Sequence, residues 1–494
     1  MDQLMLQSLS PLLIIAFGTV LSLLLIAWRR SQKLILIFTL AIFVCALFAC
    51  ISLMSTLSIS DVTDAIQVTS LMKVDNYGNF AFILILLASI AVGLLSSTWL
   101  IHSVEVHDEF FILLQLVVLG AGVLVMSDHF ASLFLGFELL SIALVGLVGY
   151  SRDSQYSIES SFKYLVLSAT ASSFMLLGIA FIYSQSGSLS FSAELFNADE
   201  ANTVLSLFYH AGILLFLVGV AFKLSFAPFH LWTPDVYQGA PTPVTLLLAT
   251  VSKVAMFVVL MKFWFSQPSL FLNNGNTLST VSLISVFAIL SMLIGNTLAL
   301  KQQNIKRLLA YTSIAHMGYL LIVLMVISPQ SVTLAWQSAL FYLSAYVLAT
   351  VSLFMVMQLT QDNQVDAGLS VEDWQGLFWK NRSLALLVIV GVLSMAGIPL
   401  TMGFIGKFYL LNVAYYAQQW WLITALIIGS GIGLVYYLAI IFALFNTSYV
   451  SQNNDNLNPF NVKPLVNTTV IVFVVFGIVL GIYPDLLSQV FIRL

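Results

Sequence analysis

The chain has 494 residues, 60% of them hydrophobic and only 8% charged, with a net charge of −4. Soluble domains carry roughly 25% charged residues, so no water-soluble fold could hide this much apolar surface, and lipid is the solvent. The acidic balance and the lack of any polybasic run exclude a nucleic-acid partner.

A helix needs about 20 apolar residues to cross a bilayer. In chain order, apolar runs bounded by polar loops predict spans at 10–28, 34–56, 77–99, 109–126, 130–150, 161–184, 204–227, 243–265, 277–300, 306–327, 333–359, 383–415, 420–446 and 466–488. The fold class is therefore an all-α polytopic membrane protein. The first run has no basic residue before it and no small-residue cleavage site after it, which predicts a retained span rather than a signal peptide. Cys45 and Cys50 share the second run. On a helix they point about 140° apart, which predicts two buried apolar residues and no iron–sulfur ligation.

Two stretches break the pattern. Residues 227–243 read APFHLWTPDVYQGAPTP, too polar and proline-rich for a plain span. The run 383–415 is too long for one straight helix and holds Gly397, Ile398 and Pro399 near its middle. Pro228 and Pro399 lack an N–H and clash with the carbonyl four residues back. Helix breaks are thus predicted beside Lys223 and on the span carrying Lys407, freeing the carbonyls of Leu224 and Met395. Broken helices at membrane depth are tolerated only where they are buried or line a cavity.

Lysine and arginine placement sets orientation. Arg29, Arg30, Lys33, Arg152, Lys301, Lys306, Arg307, Lys380, Arg382 and Lys463 fall on one side, and Lys73, Lys262 and Arg493 on the other. With an even number of spans, both termini lie on the poorer side, the periplasm in a bacterium. Four lysines remain, Lys163, Lys223, Lys253 and Lys407, all within apolar runs. Among the acids only Glu138 sits well inside a span.

A charge at the centre of a membrane helix costs about 2.5–3.5 kcal/mol on insertion scales. Five of them must face the protein interior, pair, or line water. Burial and charged neighbours shift a lysine's proton affinity, so a Glu–Lys pair of variable spacing is a proton switch; a static ion pair that fixes packing is the alternative. Lys163, near the start of its span, can equally snorkel to the interface. Histidine ordinarily titrates near neutral pH, which makes His316 and His230 candidate relays, or hydrogen-bonded packing residues. No Gly-x-x-x-x-Gly-Lys phosphate loop is present, and Gly429 to Gly433 read as a helix-packing stripe. The chain has parts for moving protons and no visible power source.

Three stretches carry a family resemblance: KLSFAPFHLWTPDVYQGAPTPVT from Lys223 to Thr245, with Ser252 and Lys253 following; ALKQQNIKRLLAYTSIAHMGY from Ala299 to Tyr319; and GIPLTMGFIGKF from Gly397 to Phe408. They resemble the antiporter-like membrane subunits of respiratory complex I, NADH-quinone oxidoreductase, from about residue 75 onward and more loosely before it. The resemblance implies three N-terminal spans in 1–108, two inverted five-helix repeats at 109–265 and 277–446, and a C-terminal helix in 447–494. It implies that Glu138 and Lys223 form a charge-switch pair, that Lys253 is the central lysine, and that His316 bridges to a terminal Lys407.

The M-type branch of the family carries glutamate where this chain has Lys407, and the L-type adds a long lateral helix after its last span, so the chain is most similar to the N-type branch. The implied activity is proton translocation as a translocase subunit with no redox centre of its own. NADH, FMN, iron–sulfur clusters and quinone are expected in partner subunits, both membrane and peripheral. The implied location is the bacterial inner membrane. A subunit of a multi-subunit sodium/proton antiporter or of a membrane-bound hydrogenase is the alternative.

Overall fold

The computed structural model describes residues 3–59, 66–100, 108–151, 154–192, 203–267, 280–326, 329–360, 370–446 and 464–487. The helices are α1 Gln3–Trp28, α2 Gln32–Ile59, α3 Asn76–Trp99, α4 Glu109–Val125, α5 Phe130–Val148, α6 Gln155–Ser186, α7 Thr203–Leu224, α8 Trp232–Gly239, α9 Thr242–Ala249, α10 Val251–Phe265, α11 Thr280–Ala299, α12 Ile305–Leu320, α13 Pro329–Thr360, α14 Leu377–Lys380, α15 Arg382–Ala396, α16 Met402–Tyr416, α17 Trp420–Phe445 and α18 Pro464–Ile482. A helix lies over every predicted span. Among the described residues ten stretches are long and apolar enough to cross a membrane, with shorter apolar helices at Glu109–Val125, Phe208–Leu224, Arg382–Ala396 and Thr468–Ile482. Helices dominate because a backbone in hydrocarbon must satisfy its own hydrogen bonds.

The helices differ in what surrounds them. On α1 and α2 large apolar side chains such as Phe17, Leu24, Ile37 and Phe48 are exposed, the pattern of lipid-facing helices. The membrane-crossing stretches of α9–α10 and of α13 are wholly enclosed by other helices. An interior that costly to fill with charge is where Lys253 lies. Exposed Tyr415, Tyr416, Trp420 and Trp421 cluster at the turn joining α16 to α17, as aromatic residues do at a membrane–water interface.

Both predicted breaks occur, each displaced from its proline. The chain leaves α7 after Leu224, with Ser225 in the left-handed region at φ 62°. It forms turns to Leu231 and then a two-turn helix, α8, inside the stretch expected to be irregular. Trp232 ties this bend down by donating its indole N–H to the carbonyl of Phe222 at 2.9 Å. The run 383–415 divides into α15 and α16. Gly397, at φ 79°, ends α15 in a conformation glycine adopts without strain. A further interruption, at Thr250 between α9 and α10, has no proline behind it and no sequence signal foretold it.

A two-stranded hairpin, β1 Ile66–Gln67 with β2 Lys73–Val74, packs on the turn between α4 and α5, where Lys73 N–H donates to Met126 O at 2.9 Å. Beside it Lys262 of α10 pairs with Asp75. Lys306, assigned to a loop by its sequence, is instead buried, its ammonium donating to the carbonyl of Ala240 at 2.8 Å. Arg152, Lys463 and Arg493 lie outside the described residues.

Candidate functional site: a buried row of lysines

Lys223 sits in the last turn of α7, 1% exposed. Its ammonium donates to Ser141 Oγ and to Tyr164 OH, both at 2.8 Å. The rings of Phe137 and Tyr164 lie 5.1 and 5.4 Å from it, within cation–π range. Glu138 shares a face of α5 with Ser141, one turn away. The Glu138 carboxylate makes no ion pair with Lys223, and its Oε1 is buried with no hydrogen-bond partner. The structure thus places Glu138 on the helix that supplies Ser141 to Lys223, without a direct ion pair between the two.

Lys253 lies on α10, one residue past Ser252 and fully enclosed. Its ammonium donates to Ser313 Oγ of α12, and the ring of Tyr237 is 5.7 Å away. Ser313 Oγ in turn is 2.7 Å from Tyr346 OH of α13. One turn along α12, His316 is held at both nitrogens: Nδ1 lies 2.6 Å from Tyr342 OH and Nε2 3.2 Å from Tyr437 OH.

Lys407 occupies the first turns of α16 and reaches back across the break. Its ammonium donates to Ala396 O at 2.7 Å, the last carbonyl of α15, not that of Met395. The Tyr319 ring is 5.4 Å away. Lys407, His316, Tyr342, Tyr346 and Ser394 line one small cavity. At both broken helices, then, a lysine stands where helical hydrogen bonding stops. An ammonium with three donors can stay hydrated or bonded there at lower cost than inside an intact apolar helix.

Two sequence-chosen residues stand apart from this row. Lys163 is a surface ion-pair partner: its side chain is 41% exposed and contacts Glu159 at 2.7 Å and Asp235 at 3.0 Å. His230 is buried in the turn between α7 and α8, its Nδ1 without a hydrogen bond and no bond joining it to Lys223, Lys253 or His316. Sequence reasoning missed Ser141, Tyr164, Ser313, Tyr342, Tyr346 and Tyr437. Their signal was faint: hydroxyl residues in apolar spans at helical spacing from a lysine or from one another. Among the described residues no group of three or more His, Cys, Asp or Glu side chains converges to hold a metal ion.

Comparison with known proteins places this geometry. Residues 127–433 match the family described as NADH:quinone oxidoreductase/Mrp antiporter, transmembrane. The chain belongs to that family. The matched stretch contains Glu138, all the buried lysines and both helix breaks. A chain of respiratory complex I from Thermus thermophilus is 28% identical, with a TM-score of 0.80 over 96% of this chain and 98% of its own length. A chain of the archaeal membrane-bound sulfane sulfur reductase is 21% identical, with a TM-score of 0.79 over 99% of this chain and 96% of that one. A chain of the Mrp complex from a Dietzia species is 17% identical, with a TM-score of 0.80 over 99% and 96%. The last two share the family's fold; their identity is too low to carry function.

Asp235 is the family member's second polar hub, on α8 between spans. Its carboxylate accepts from Lys163 at 3.0 Å and from Arg307 at 2.7 Å, tying α8 to the starts of α6 and α12. Burial pushes its proton affinity up, but the hydrogen bonds and charges of Lys163 and Arg307 outweigh it and hold the carboxyl below its ordinary value of 3.8. A depressed folded-state value means the stabilisation is complete above the unfolded value and is lost as pH falls through the folded one. Asp235→Asn should therefore lower the thermal midpoint at neutral pH, and the gap to wild type should narrow as pH falls below the ordinary carboxyl value, since protonation removes the same contacts. Melting curves of the detergent-solubilised protein across pH check this; an equal gap at every pH would contradict it.

Proposed function

We propose that this chain is a proton-translocating membrane subunit of a bacterial NADH-quinone oxidoreductase, of the N-type branch. The observation that carries the reading is the buried row Lys223, Lys253 and Lys407, with Lys223 and Lys407 at the two helix breaks. Packing alone gives no reason to bear about 2.5–3.5 kcal/mol of insertion cost three times over. Glu138 modulates the proton affinity of Lys223; the proton passes by Lys253 and His316 to Lys407. Residues 109–265 and 277–446 form two inverted repeats, each with one lysine-bearing broken helix, the arrangement in which transporters set ion sites near the bilayer midplane. Both termini face the periplasm and the basic loops the cytoplasm. NADH oxidation and quinone reduction happen in partner subunits, which hold the flavin and iron–sulfur clusters and supply the driving force.

The family takes in Mrp antiporters as well, which gives one other reading, a subunit of a sodium/proton antiporter assembly. Purification of the tagged chain in mild detergent separates the two. The proposal expects partner subunits with bound flavin and iron–sulfur absorbance and NADH oxidation by the preparation. Recovery with no redox partner, together with sodium-dependent proton exchange in vesicles, would overturn it.

A further inference from the structure

Lys253 and Lys407 do not touch. Lys253 ends on Ser313, and Lys407 ends on a backbone carbonyl. A proton crossing from one to the other needs groups that can both give and take one. The side chains that occupy this gap are tyrosines of α13. Tyr342 and Tyr346 are four residues apart and so share a helix face. Tyr346 OH meets Ser313 Oγ at 2.7 Å, and Tyr342 OH meets His316 Nδ1 at 2.6 Å. Both tyrosines line the cavity that Lys407 also lines, a space with room for about one ordered water.

We propose that Tyr346 and Tyr342 are relay residues that hand protons between Lys253 and Lys407, an inference that rests on the translocation reading above. In the transfer Lys253 loses one N–H proton to Ser313 while Ser313 passes its own to Tyr346, and Tyr346 gives its own to a water in the cavity it shares with Tyr342 and Lys407. Each hydroxyl breaks one O–H bond and forms another, so neither an alkoxide nor a phenolate is left behind. That water gives one of its protons to Tyr342 as Tyr342 gives its own to a neutral Lys407 across the cavity they both line, so the excess proton ends as an N–H on Lys407. His316, in the tautomer that donates from Nδ1, holds the Tyr342 oxygen in place for this exchange.

A buried tyrosine hydroxyl needs a partner of some kind, and a backbone carbonyl would serve a packing role as well. Here the partners are Ser313 and His316, groups that themselves carry exchangeable protons and lie next to the lysine row. That choice separates a relay from a packing residue.

The test uses the assembled complex in proteoliposomes carrying Tyr346→Phe or Tyr342→Phe, which keep the ring and remove the hydroxyl. General acid–base groups contribute typically 10²–10⁴-fold, so the pumping rate should fall by roughly tenfold or more and its pH profile should shift. If Tyr346→Phe does not assemble, Ser313→Ala interrupts the same link by removing one oxygen. Unchanged protons per electron with an unshifted pH profile in the tyrosine variants would overturn the relay. Lys253→Met run in parallel separates the two claims. Normal pumping there refutes translocation along the lysine row itself; pumping lost there but kept in the tyrosine variants refutes the relay alone.

Discussion

Replacing Lys253 by methionine is expected to abolish proton transfer through this subunit while leaving the chain folded and assembled. Methionine keeps most of the buried stem and removes the charge and all three exchangeable protons. A positioned proton carrier accounts for about two to four orders of magnitude in rate, enough to silence the route. Stability should move the other way. The ammonium is fully enclosed, and removing it spares an insertion cost of about 2.5–3.5 kcal/mol. Ser313, left behind, still has Tyr346 OH at 2.7 Å, so no hydroxyl is orphaned. Thermal melting and pumping of the same preparation check both halves. A scaffold with no transport role predicts the reverse: lower stability or assembly and unchanged pumping by what assembles.

Adding a single methyl at Gly403 should have the largest structural effect. A Cβ there would sit 1.8 Å from the Ser394 carbonyl oxygen and 2.7 Å from its carbon. Backbone does not rotate out of the way, so α15 and α16 must move apart. Overpacking of this kind costs typically 1–3 kcal/mol and occasionally more, and a clash with main chain belongs at the upper end. The same movement would pull Lys407 from Ala396 O, so Gly403→Ala is expected both to lower the amount of assembled chain and to impair pumping by what remains. Gly431→Ala on α17 is the control, since nothing lies within 4 Å of a Cβ at that position. Membrane-fraction abundance and melting temperature decide it. Wild-type abundance for Gly403→Ala would show that the α15–α16 packing is looser than described.

Most of the helical framework was legible because hydrocarbon permits so few backbone solutions. Twenty apolar residues in a row leave little choice but a crossing helix. The two breaks were legible for a related reason, in that Pro228 and Pro399 cannot sit in an unbroken ladder. Their positions were not, since Ser225 and Gly397, at positive φ, take the bends and the prolines only follow them. The break at Thr250 left no trace because nothing about threonine forbids a helix. The buried charges were readable as single residues: Lys223, Lys253 and Lys407 stand out against apolar neighbours. What each one touches was not readable. Ser141, Ser313 and Tyr346 come from other helices, and a hydroxyl in an apolar span has no periodicity of its own. Lys163 was legible as a lysine in an apolar run, but its partners were not: Glu159 lies one turn back on α6 and Asp235 comes from α8.

The lysine row is the centre of this account, and protons moved per electron transferred is the quantity closest to it. The measurement is made on the purified complex in sealed proteoliposomes, with wild-type chain and with Lys253→Met, at matched assembly. The account predicts a lower ratio in the variant, with this subunit's share of the protons missing. An unchanged ratio in a fully assembled complex would contradict it.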